Sequence, residues 1–557
     1  MFKLSDLFFD IDMGKKFVFY FFLLFLIIPN VALSVTEPFS VIGAIANVVL
    51  PAGIIYLLLT LSPKLGKSIW LMFPLVFLAA FQIVLLDLYG RSIIAVDMFL
   101  NLVTTNATEV SELLGNMLPT LALVFILYLP TLIMGVIYIR RHVRLPQTFL
   151  KKNRAIASIL TAIGAIILII SCIFPQGNRF VIYQDLYPVN VIYNIYLAYD
   201  RTVRTARYAE TSAAFTYDAK SSHDIEAREL YILIIGETSR AENWQLAGYD
   251  KKTNPYLSDR NDIFFGRKAI SESNTTHKSV PMLISPAEAC TFDSTIYNVK
   301  SLITAFKEAG YTTAFISNQR YNHSFIDFFA NESDSVIFIK ELPSSPFGSN
   351  YYDADLLPYI DKIIEQHKRK QLIVVHTYGS HFNYRDRYGK TDRVFLPDDY
   401  EEATKANREK LINAYDNTIV ATDRFINSCI ERVDTASSFL GAVLYTSDHG
   451  EDIFDDGSGR FLHASPLPTI HQIHVPFLIW VSNGYRAAFP NRVETLSTNI
   501  NELISTSRSY CPTAIQIAGI TTSKIDTTAS LISRGYTPRE QLYLTDHNTP
   551  VELKSIL

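Results

Sequence analysis

Long apolar stretches fill the first third of this 557-residue chain. Five of them, at about 17–35, 41–61, 69–88, 117–139 and 155–174, each approach the ~20 residues that cross the ~30 Å hydrocarbon layer of a bilayer. Buried core helices are the alternative, but five such stretches in succession with almost no internal charge favour membrane spans. The pattern therefore predicts an α-helical transmembrane domain of five spans over residues 1–175.

Basic residues fall on one side of the predicted spans. They precede the first span and occupy the loops after the second and the fourth: Lys3, Lys15, Lys16, Lys64, Lys67, Arg140, Arg141, Arg144, Lys151, Lys152 and Arg154. Because short basic loops remain in the cytoplasm, the chain after Phe174 is expected outside. A cleaved signal sequence is the alternative for the first span. It would disturb the alternation of charge.

The external connection between the third and fourth spans is longer than a turn. Its apolar residues follow helical spacing, at Ala95, Met98, Phe99, Leu102 and Val103. This spacing predicts an amphipathic helix at about 93–114 on the outer membrane surface, although a plain spacer fits equally well. The polar stretch 176–228 after the fifth span is interpreted as a linker.

From residue 229 to 557 the pattern changes to short β-branched runs that alternate with helical periodicity. The predicted strands are Leu230–Ile235, Thr312–Ser317, Gln371–Val375, Ala442–Thr446 and Pro476–Val481, and the predicted helices include 297–309, 355–369 and 402–432. Alternation of this kind is typical of a mostly parallel sheet covered by helices. The second domain is therefore expected to be α/β.

Polar residues of the kind that bind metals follow four of the five predicted strands. They are Glu237, Asn318, His381, and the pair Asp448 and His449. One such residue would usually be a helix cap, but open α/β sheets place their sites where strands end. The repetition indicates a functional site at this edge of the sheet.

The composition of the chain limits the classes of ligand and of metal site that it can form. With 50 basic and 54 acidic residues the chain lacks the positive excess of a nucleic-acid-binding protein. Its four cysteines form no CxxC pair, so a metal would be held by oxygen and nitrogen. Glu237, Asp448 and His449 are ligands that Zn²⁺ accepts, and they leave one coordination position for a reacting group.

A hydroxyl suited to that position stands in the segment SNTTHKSVP, residues 273–281, before a predicted helix. Coordination to a divalent cation stabilises an alkoxide directly, so no separate strong base is required. A metal and a threonine together would make a nucleophile.

Six motifs occur in a fixed order: GETSR (236–240), TxxSVP (276–281), HTYGSH (376–381), INAYDN (412–417), SDHGE (447–451) and FLH (461–463). Together with the five spans before them, they resemble the phosphoethanolamine transferases that modify lipid A and related glycans. That family lies within the alkaline phosphatase and sulfatase superfamily. The resemblance covers nearly the whole chain and implies a sulfatase-like α/β domain in the periplasm, anchored in the bacterial inner membrane.

The resemblance also implies roles for individual residues. Glu237, Thr276, Asp448 and His449 would bind catalytic Zn²⁺, and Thr276 would carry the transferred group. His381 and His463 match histidines near the transferred phosphate, where either of them, protonated, would serve as the acid for the first leaving group. Asn318 matches a polar position on the phosphate side, and Asn101, Thr105 and Glu109 match residues that contact the ethanolamine or the lipid headgroup. The implied reaction moves phosphoethanolamine from phosphatidylethanolamine to Thr276, releasing diacylglycerol, and then to a glycolipid such as lipid A or lipopolysaccharide core. The enzyme would act as a monomer.

Other functions remain open. A phosphoglycerol transferase would also combine five spans with a threonine nucleophile. A sulfatase would need a Cys or Ser in a C/S-x-P/A-x-R context, which the chain lacks, and a membrane scaffold would not need an activatable hydroxyl among metal ligands. Beside the nucleophile, His277 and Lys278 are expected to be solvated, with a role in phosphate binding as the alternative.

Overall fold

A computed structural model describes residues 11–89, 93–104, 107–174, 180–343, 350–435, 440–457 and 459–557. The chain divides into two compact units. The first comprises Met1–Phe99, Leu113–Tyr199 and Asp456–Arg460, and the second comprises Leu100–Glu112, Asp200–Asp455 and Phe461–Leu557.

The first unit is helical. Its helices are α1 (Ile11–Thr36), α2 (Val41–Leu59), α3 (Leu65–Leu71), α4 (Phe73–Tyr89), α5 (Val96–Thr104), α6 (Ala107–Arg140), α7 (Gln147–Ile173), α8 (Ile182–Asp185) and α9 (Val189–Ala206). Of these, α5, α6 and α9 cross the boundary between the units. Within the described residues, four helices are long and apolar enough to cross a membrane, and α3 with α4 makes a fifth if this pair, bent by 54°, is one span. The five predicted stretches therefore correspond to helices.

Close backbone packing joins α2 to α7. A Cβ atom on Gly53 would lie 2.7 Å from the backbone nitrogen of Thr161, and one on Gly164 would lie 2.6 Å from the Cα atom of Leu50. Small residues permit this approach, which is how apolar helices associate when no water is expelled between them.

The range predicted as a linker, 176–228, contains helical structure. It includes α8, α9 and α10 (Tyr208–Thr211). The predicted external helix at 93–114 corresponds to α5 and the start of α6. Of its apolar stripe, Ala95 and Met98 are buried against other residues of the first unit.

The second unit is built on a seven-stranded sheet. Its strands are β1 (Glu229–Gly236), β2 (Ile263–Gly266), β3 (Thr312–Ser317), β4 (Ser335–Phe338), β5 (Lys370–His376), β6 (Leu440–Ser447) and β7 (Phe477–Val481). The order across the sheet is β2-β7-β6-β1-β5-β3-β4. Strand β7 pairs antiparallel with both neighbours, and the other pairs are parallel.

Strand β1 lies at the centre of this sheet because its run ELYILIIG is apolar on both faces, and all eight residues are buried. Helices cover the sheet: α11 (Thr276–Leu283), α12 (Phe292–Thr295), α13 (Leu302–Glu308), α14 (Phe325–Ala330), α15 (Leu357–Ile364), α16 (Arg408–Thr435), α17 (Ile470–Ile473), α18 (Asn483–Ala488), α19 (Pro490–Asn499) and α20 (Thr506–Ile517). Short strand pairs complete the unit: Lys220–Ser221 with Ile520–Thr521, Asp452–Ile453 with Phe461–Leu462, Ala269–Ile270 with Ile504–Ser505, and Leu542–Leu544 with Pro550–Glu552.

All five predicted strands are present, with boundaries that differ from the prediction by at most two residues. Strands β2 and β4 at the two edges were not predicted. The predicted helix at 297–309 begins later, because Ser301 caps Leu302 by accepting from the backbone N–H of Ile303 at 3.2 Å. It ends as expected at Gly310, whose φ of +89° suits glycine.

Candidate metal and phosphoryl-transfer site

The carboxyl ends of two adjacent parallel strands meet at the centre of the site. Glu237 follows β1 directly, and Asp448 and His449 follow β6. The strands remain paired to their last residues, and the backbone N–H of Asp448 donates to the carbonyl oxygen of Gly236 at 3.1 Å. Sheet pairing alone therefore brings two carboxylates and an imidazole together.

These three side chains form a compact, buried cluster. Their ligand atoms all lie within 4.8 Å of one another. His449 Nε2 is 3.3 Å from Asp448 Oδ2 and 3.6 Å from Glu237 Oε1. His449 Nδ1 lies 2.9 Å from the carbonyl oxygen of Gly450. A proton on Nδ1 would be donated there, which leaves Nε2 with a lone pair toward the cluster.

Thr276 completes the cluster from another direction. It is the first residue of α11, and its Oγ1 atom lies 3.1 Å from His449 Nε2 and 3.3 Å from Glu237 Oε1. Unlike the three ligands, Thr276 is only partly buried. The amino end of a helix carries partial positive charge, which favours an anion at this position.

Hydrogen bonds fix the loop that leads to Thr276. Ser271 donates to the carbonyl oxygen of Asp448 at 2.5 Å, so the loop is tied to the end of β6. The Asn274 amide donates to the carbonyl oxygen of Ser465 at 2.8 Å and to Gln472 Oε1 at 2.5 Å, and its own oxygen accepts from the Tyr543 hydroxyl at 2.7 Å. All four of these polar partners are buried, so the loop is rigidly held.

Lys278 is not solvated. Its side chain is only 2% exposed, and Nζ donates to the carbonyl oxygen of Thr545 at 3.0 Å. The expectation of a solvated lysine was wrong because α11 is covered by a segment near the carboxyl end of the chain. His277, its neighbour, is half-buried.

Two residues orient the Glu237 carboxylate. The Thr238 hydroxyl donates to Oε1 at 2.7 Å, and the Gln319 amide donates to Oε2 at 2.9 Å. Gln319 also lies 3.0 Å from the carbonyl oxygen of Thr377 and donates to it. Sequence reasoning missed Gln319 and chose its neighbour. The sequence feature that could have identified Gln319 as a site residue is its position two residues after the end of β3.

Asn318 has other partners. Its amide donates to Asp353 Oδ1 at 2.9 Å and to the carbonyl oxygen of Tyr351 at 3.0 Å. Asp353 in turn accepts from the backbone N–H groups of Tyr378 and Gly379. Asn318 therefore contacts the segment that supports the HTYGSH motif.

His463 and His381 extend the site to one side. The rings of His463 and His449 are 4.2 Å apart, and those of His463 and His381 are 5.9 Å apart. His381 stacks on Tyr378 at 5.0 Å, and Lys340 Nζ lies 3.5 Å from the centre of the Tyr378 ring. The two histidines are thus adjacent to the cluster, with a cation close behind.

The charge states of these groups follow from their surroundings. Burial lowers the pKa of His381 well below its usual range, and the charge on Arg387 lowers it further. Burial raises the pKa of Glu237, and repulsion from Asp448 adds to the effect. Burial also raises the pKa of Asp448. Two buried carboxylates that are both ionised and so close together are unfavourable unless a cation lies between them.

The donor set fits a divalent cation such as zinc. It offers two carboxylates, one imidazole nitrogen with a free lone pair and one hydroxyl. Within the part of the chain that the structure describes, the buried Asp448 Oδ2 atom accepts no hydrogen bond. A buried carboxylate oxygen without a partner is costly, and a metal ion would satisfy it.

The remaining predicted site residues belong to the segment between the third and fourth spans. Asn101 lies in α5 and Glu109 in α6, but their side chains are not among those that the structure describes. Thr105 lies outside the described residues. All four cysteines, Cys172, Cys290, Cys429 and Cys511, are free thiols.

Comparison with known proteins defines the class. The model of the sulfatase family matches residues 229–520, more than half of the chain, and the protein belongs to that family. Phosphoethanolamine transferase EptA of Salmonella typhimurium is 30% identical over 294 residues, which is 50% of this chain and 53% of the relative. The chain thus spans about half the length of the curated relatives it matches.

Solved structures extend the likeness beyond the sulfatase domain. The integral membrane lipooligosaccharide phosphoethanolamine transferase A of Neisseria meningitidis superposes with a TM-score of 0.73 at 20% identity, covering 92% of this chain and 97% of that one. The periplasmic domain of EptC from Escherichia coli, in complex with zinc, gives 0.55 at 22% identity, covering 61% and 96%. These similarities confirm the predicted fold class: apolar amino-terminal helices followed by a sulfatase-like domain with a mostly parallel sheet.

Proposed function

We propose that this protein transfers phosphoethanolamine from phosphatidylethanolamine to an envelope glycolipid through a phosphothreonine at residue 276. The observation that carries the proposal is the position of Thr276 Oγ1, within 3.3 Å of both His449 Nε2 and Glu237 Oε1. Similarity to phosphoethanolamine transferases supports phosphoethanolamine as the group transferred.

Glu237, Thr276, Asp448 and His449 would hold the zinc ion. When bound, zinc supplies Lewis-acid stabilisation for negative charge on the threonine oxygen and on the phosphoryl group. The zinc complex of the EptC domain supports the choice of this metal.

In the first displacement, Thr276 Oγ1 attacks the phosphorus atom of phosphatidylethanolamine. The bond between phosphorus and the diacylglycerol oxygen breaks, and that oxygen gains the proton that Thr276 loses. In the second displacement, an oxygen of the acceptor attacks the phosphothreonine, and Thr276 recovers a proton from the acceptor. The amino end of α11 favours the phosphoryl anion in both steps.

His381 is suited to take the proton from the acceptor in the second displacement and pass it to Thr276. With its pKa lowered, the ring is neutral, so His381 is not suited to act as the protonated acid for the first leaving group. His381 Nδ1 lies 2.6 Å from the carbonyl oxygen of Phe382, which leaves Nε2 to accept. His463 lies between His381 and His449, where it would orient the phosphoryl oxygens. Asn101, Thr105 and Glu109 are proposed to contact the ethanolamine or the lipid headgroup, and Asn318 to support the phosphate side through Asp353.

The acceptor is proposed to be lipid A or lipopolysaccharide core, since the Neisseria structure is that of a lipooligosaccharide phosphoethanolamine transferase. Donor and acceptor are both amphiphiles, which accounts for a catalytic domain attached to membrane spans. We place the protein in the bacterial inner membrane as a monomer, with residues 229–557 in the periplasm, as the distribution of basic residues indicates.

The test is release of diacylglycerol by the purified full-length protein from labelled phosphatidylethanolamine. Thr276→Ala should abolish release, whereas Thr498→Ala, at an exposed threonine of α19, should leave it unchanged. Equal release by wild type and Thr276→Ala would refute the mechanism. Faster release from phosphatidylglycerol would instead identify a phosphoglycerol transferase.

A further inference from the structure

Helix α9 has an uncharged, exposed face in the range predicted as a linker. No Asp, Glu, Lys or Arg occurs from Leu186 to Tyr199. Four side chains at helical i, i+3, i+4 and i+7 spacing project from one side of the helix, and their exposed fractions are 65% for Ile192, 46% for Ile195, 60% for Tyr196 and 69% for Tyr199. We call this group of side chains the α9 outer face.

The opposite side of α9 is fixed to the first unit. Val191 is fully buried in a cluster with Leu33, Leu85 and Ile94. The Asn194 amide donates to the carbonyl oxygen of Ile94 at 2.8 Å. Because these contacts hold α9 on the helical bundle, the helix presents the α9 outer face in a fixed direction.

The attachment is at one end of the bundle. The Asn30 amide donates to the carbonyl oxygen of Tyr187, and the backbone N–H of Tyr187 donates to Asn47 Oδ1 at 3.0 Å. Ten residues earlier in α1, Tyr20 donates to Asn153, which lies among the basic residues before the last span. Ten helical residues span ~15 Å. Helix α9 therefore lies at the end away from the basic loops.

The chemistry of the α9 outer face matches the boundary between hydrocarbon and water. Tyrosine is enriched there because its ring is apolar and its hydroxyl remains hydrated. The face also lies at the end of the bundle where Val35 and Val41 are 82% and 73% exposed at the adjoining ends of α1 and α2. Lipid-facing surface of the predicted spans thus continues toward this end.

We propose that the α9 outer face binds the lipid bilayer at its non-cytoplasmic surface and so anchors the start of the chain that leads to the sulfatase domain. A second copy of the chain is the less suitable occupant, because four side chains offer less than the ~800 Å² per partner of a stable protein interface. The proposal does not depend on which group the enzyme transfers.

Site-directed spin labelling of the full-length protein in phospholipid nanodiscs tests this proposal. Cys172 and Cys290 are first replaced by serine, and one label is then placed at residue 192 or 196. The control label is at Ser497, an exposed polar position of α19. Power saturation compares access by oxygen, which partitions into lipid, with access by a water-soluble nickel chelate.

Labels at residues 192 and 196 should show a ratio of oxygen access to nickel access several-fold above that at Ser497. A ratio equal to the control would overturn the proposal. So would a dipolar coupling between copies carrying a label at residue 196, in nanodiscs holding two protein molecules, because a second copy would then cover the face. Diacylglycerol release is measured on the same samples. This assay distinguishes failure of the proposed membrane contact from failure of the proposed reaction.

Discussion

The Glu237 and Asp448 carboxylates lie beside a buried imidazole and the Thr276 hydroxyl. Asp448 Oδ2 accepts no hydrogen bond from any residue that the structure describes, while Glu237 accepts from Thr238 and Gln319. Such a pair is stable in two ways: with a shared proton or with a metal cation. A proton and a metal ion therefore compete for the carboxylates of these two residues.

Zinc binding should depend strongly on pH. The folded, metal-free protein holds a proton on the Glu237 and Asp448 pair above the pH at which the unfolded chain has lost it, because burial raises both pKa values. The raised pKa values of the two carboxyl groups contribute to the free energy of unfolding at low pH. This contribution decreases as pH rises through the raised pKa range. Zinc replaces the proton, so the zinc-induced rise in melting temperature should be larger at pH 8 than at pH 6.

Differential scanning fluorimetry of chelator-treated and zinc-loaded protein at both pH values measures this effect. Asp448→Asn removes one carboxylate and should abolish most of the zinc-induced rise at either pH. A rise that is the same at pH 6 and pH 8 would show that these carboxylates do not exchange a proton for the metal.

Individual residues of the site differed in how well sequence predicted them. Glu237, Asp448 and His449 follow adjacent strands directly, so sheet geometry alone brings them together. Gln319 contacts Glu237 in place of Asn318 because the chain turns after β3, and the direction of a side chain in a turn does not follow from strand periodicity. Lys278 was misjudged because its partner is 267 residues away along the chain.

At the scale of elements, the buried strands were predictable and the edge strands were not. Strand β1 reads as a continuous apolar run because both of its faces are covered. The two edge strands, β2 and β4, have four residues each, only the last of which is fully buried. A short half-buried strand gives little periodic signal. The helices of the range 176–228 were not predicted, because the polar residues of this range are typical of a linker.

The turn after β5 supports the site through its backbone. Gly379 has a φ of +50°, and a Cβ atom there would lie 2.5 Å from the carbonyl oxygen of Glu237. Gly379→Ala should therefore both strain the turn and displace Glu237. The left-handed backbone alone costs ~1–2 kcal/mol for a residue with a Cβ atom. We expect a loss of about 2 kcal/mol or more in the free energy of unfolding, with weaker zinc binding.

Chemical denaturation and zinc titration of the variant measure the two effects. The matched control is Gly389→Ala, where the nearest atom to an added Cβ is 3.9 Å away and φ is negative. That substitution should change the free energy of unfolding by less than ~0.5 kcal/mol. If both variants behaved alike, the close approach of Gly379 to Glu237 would not matter to the site.

At the scale of the whole molecule, hydrophobic patterning predicted the fold class: apolar helices first, then an α/β domain. Patterning could not specify the bent pair α3 and α4, because a break within an apolar stretch depends on packing. Neither the sequence nor the fold predicts the identity of the acceptor, since no motif in the chain specifies a particular glycolipid.

Mass spectrometry of the intact protein tests the central claim most directly. Wild-type protein incubated with phosphatidylethanolamine and no acceptor should gain the mass of one phosphoethanolamine group, and peptide fragmentation should place it on Thr276. Chelation of zinc beforehand and Thr276→Ala should each prevent the gain. Modification of another residue, or diacylglycerol release by wild type without any covalent adduct, would contradict the account.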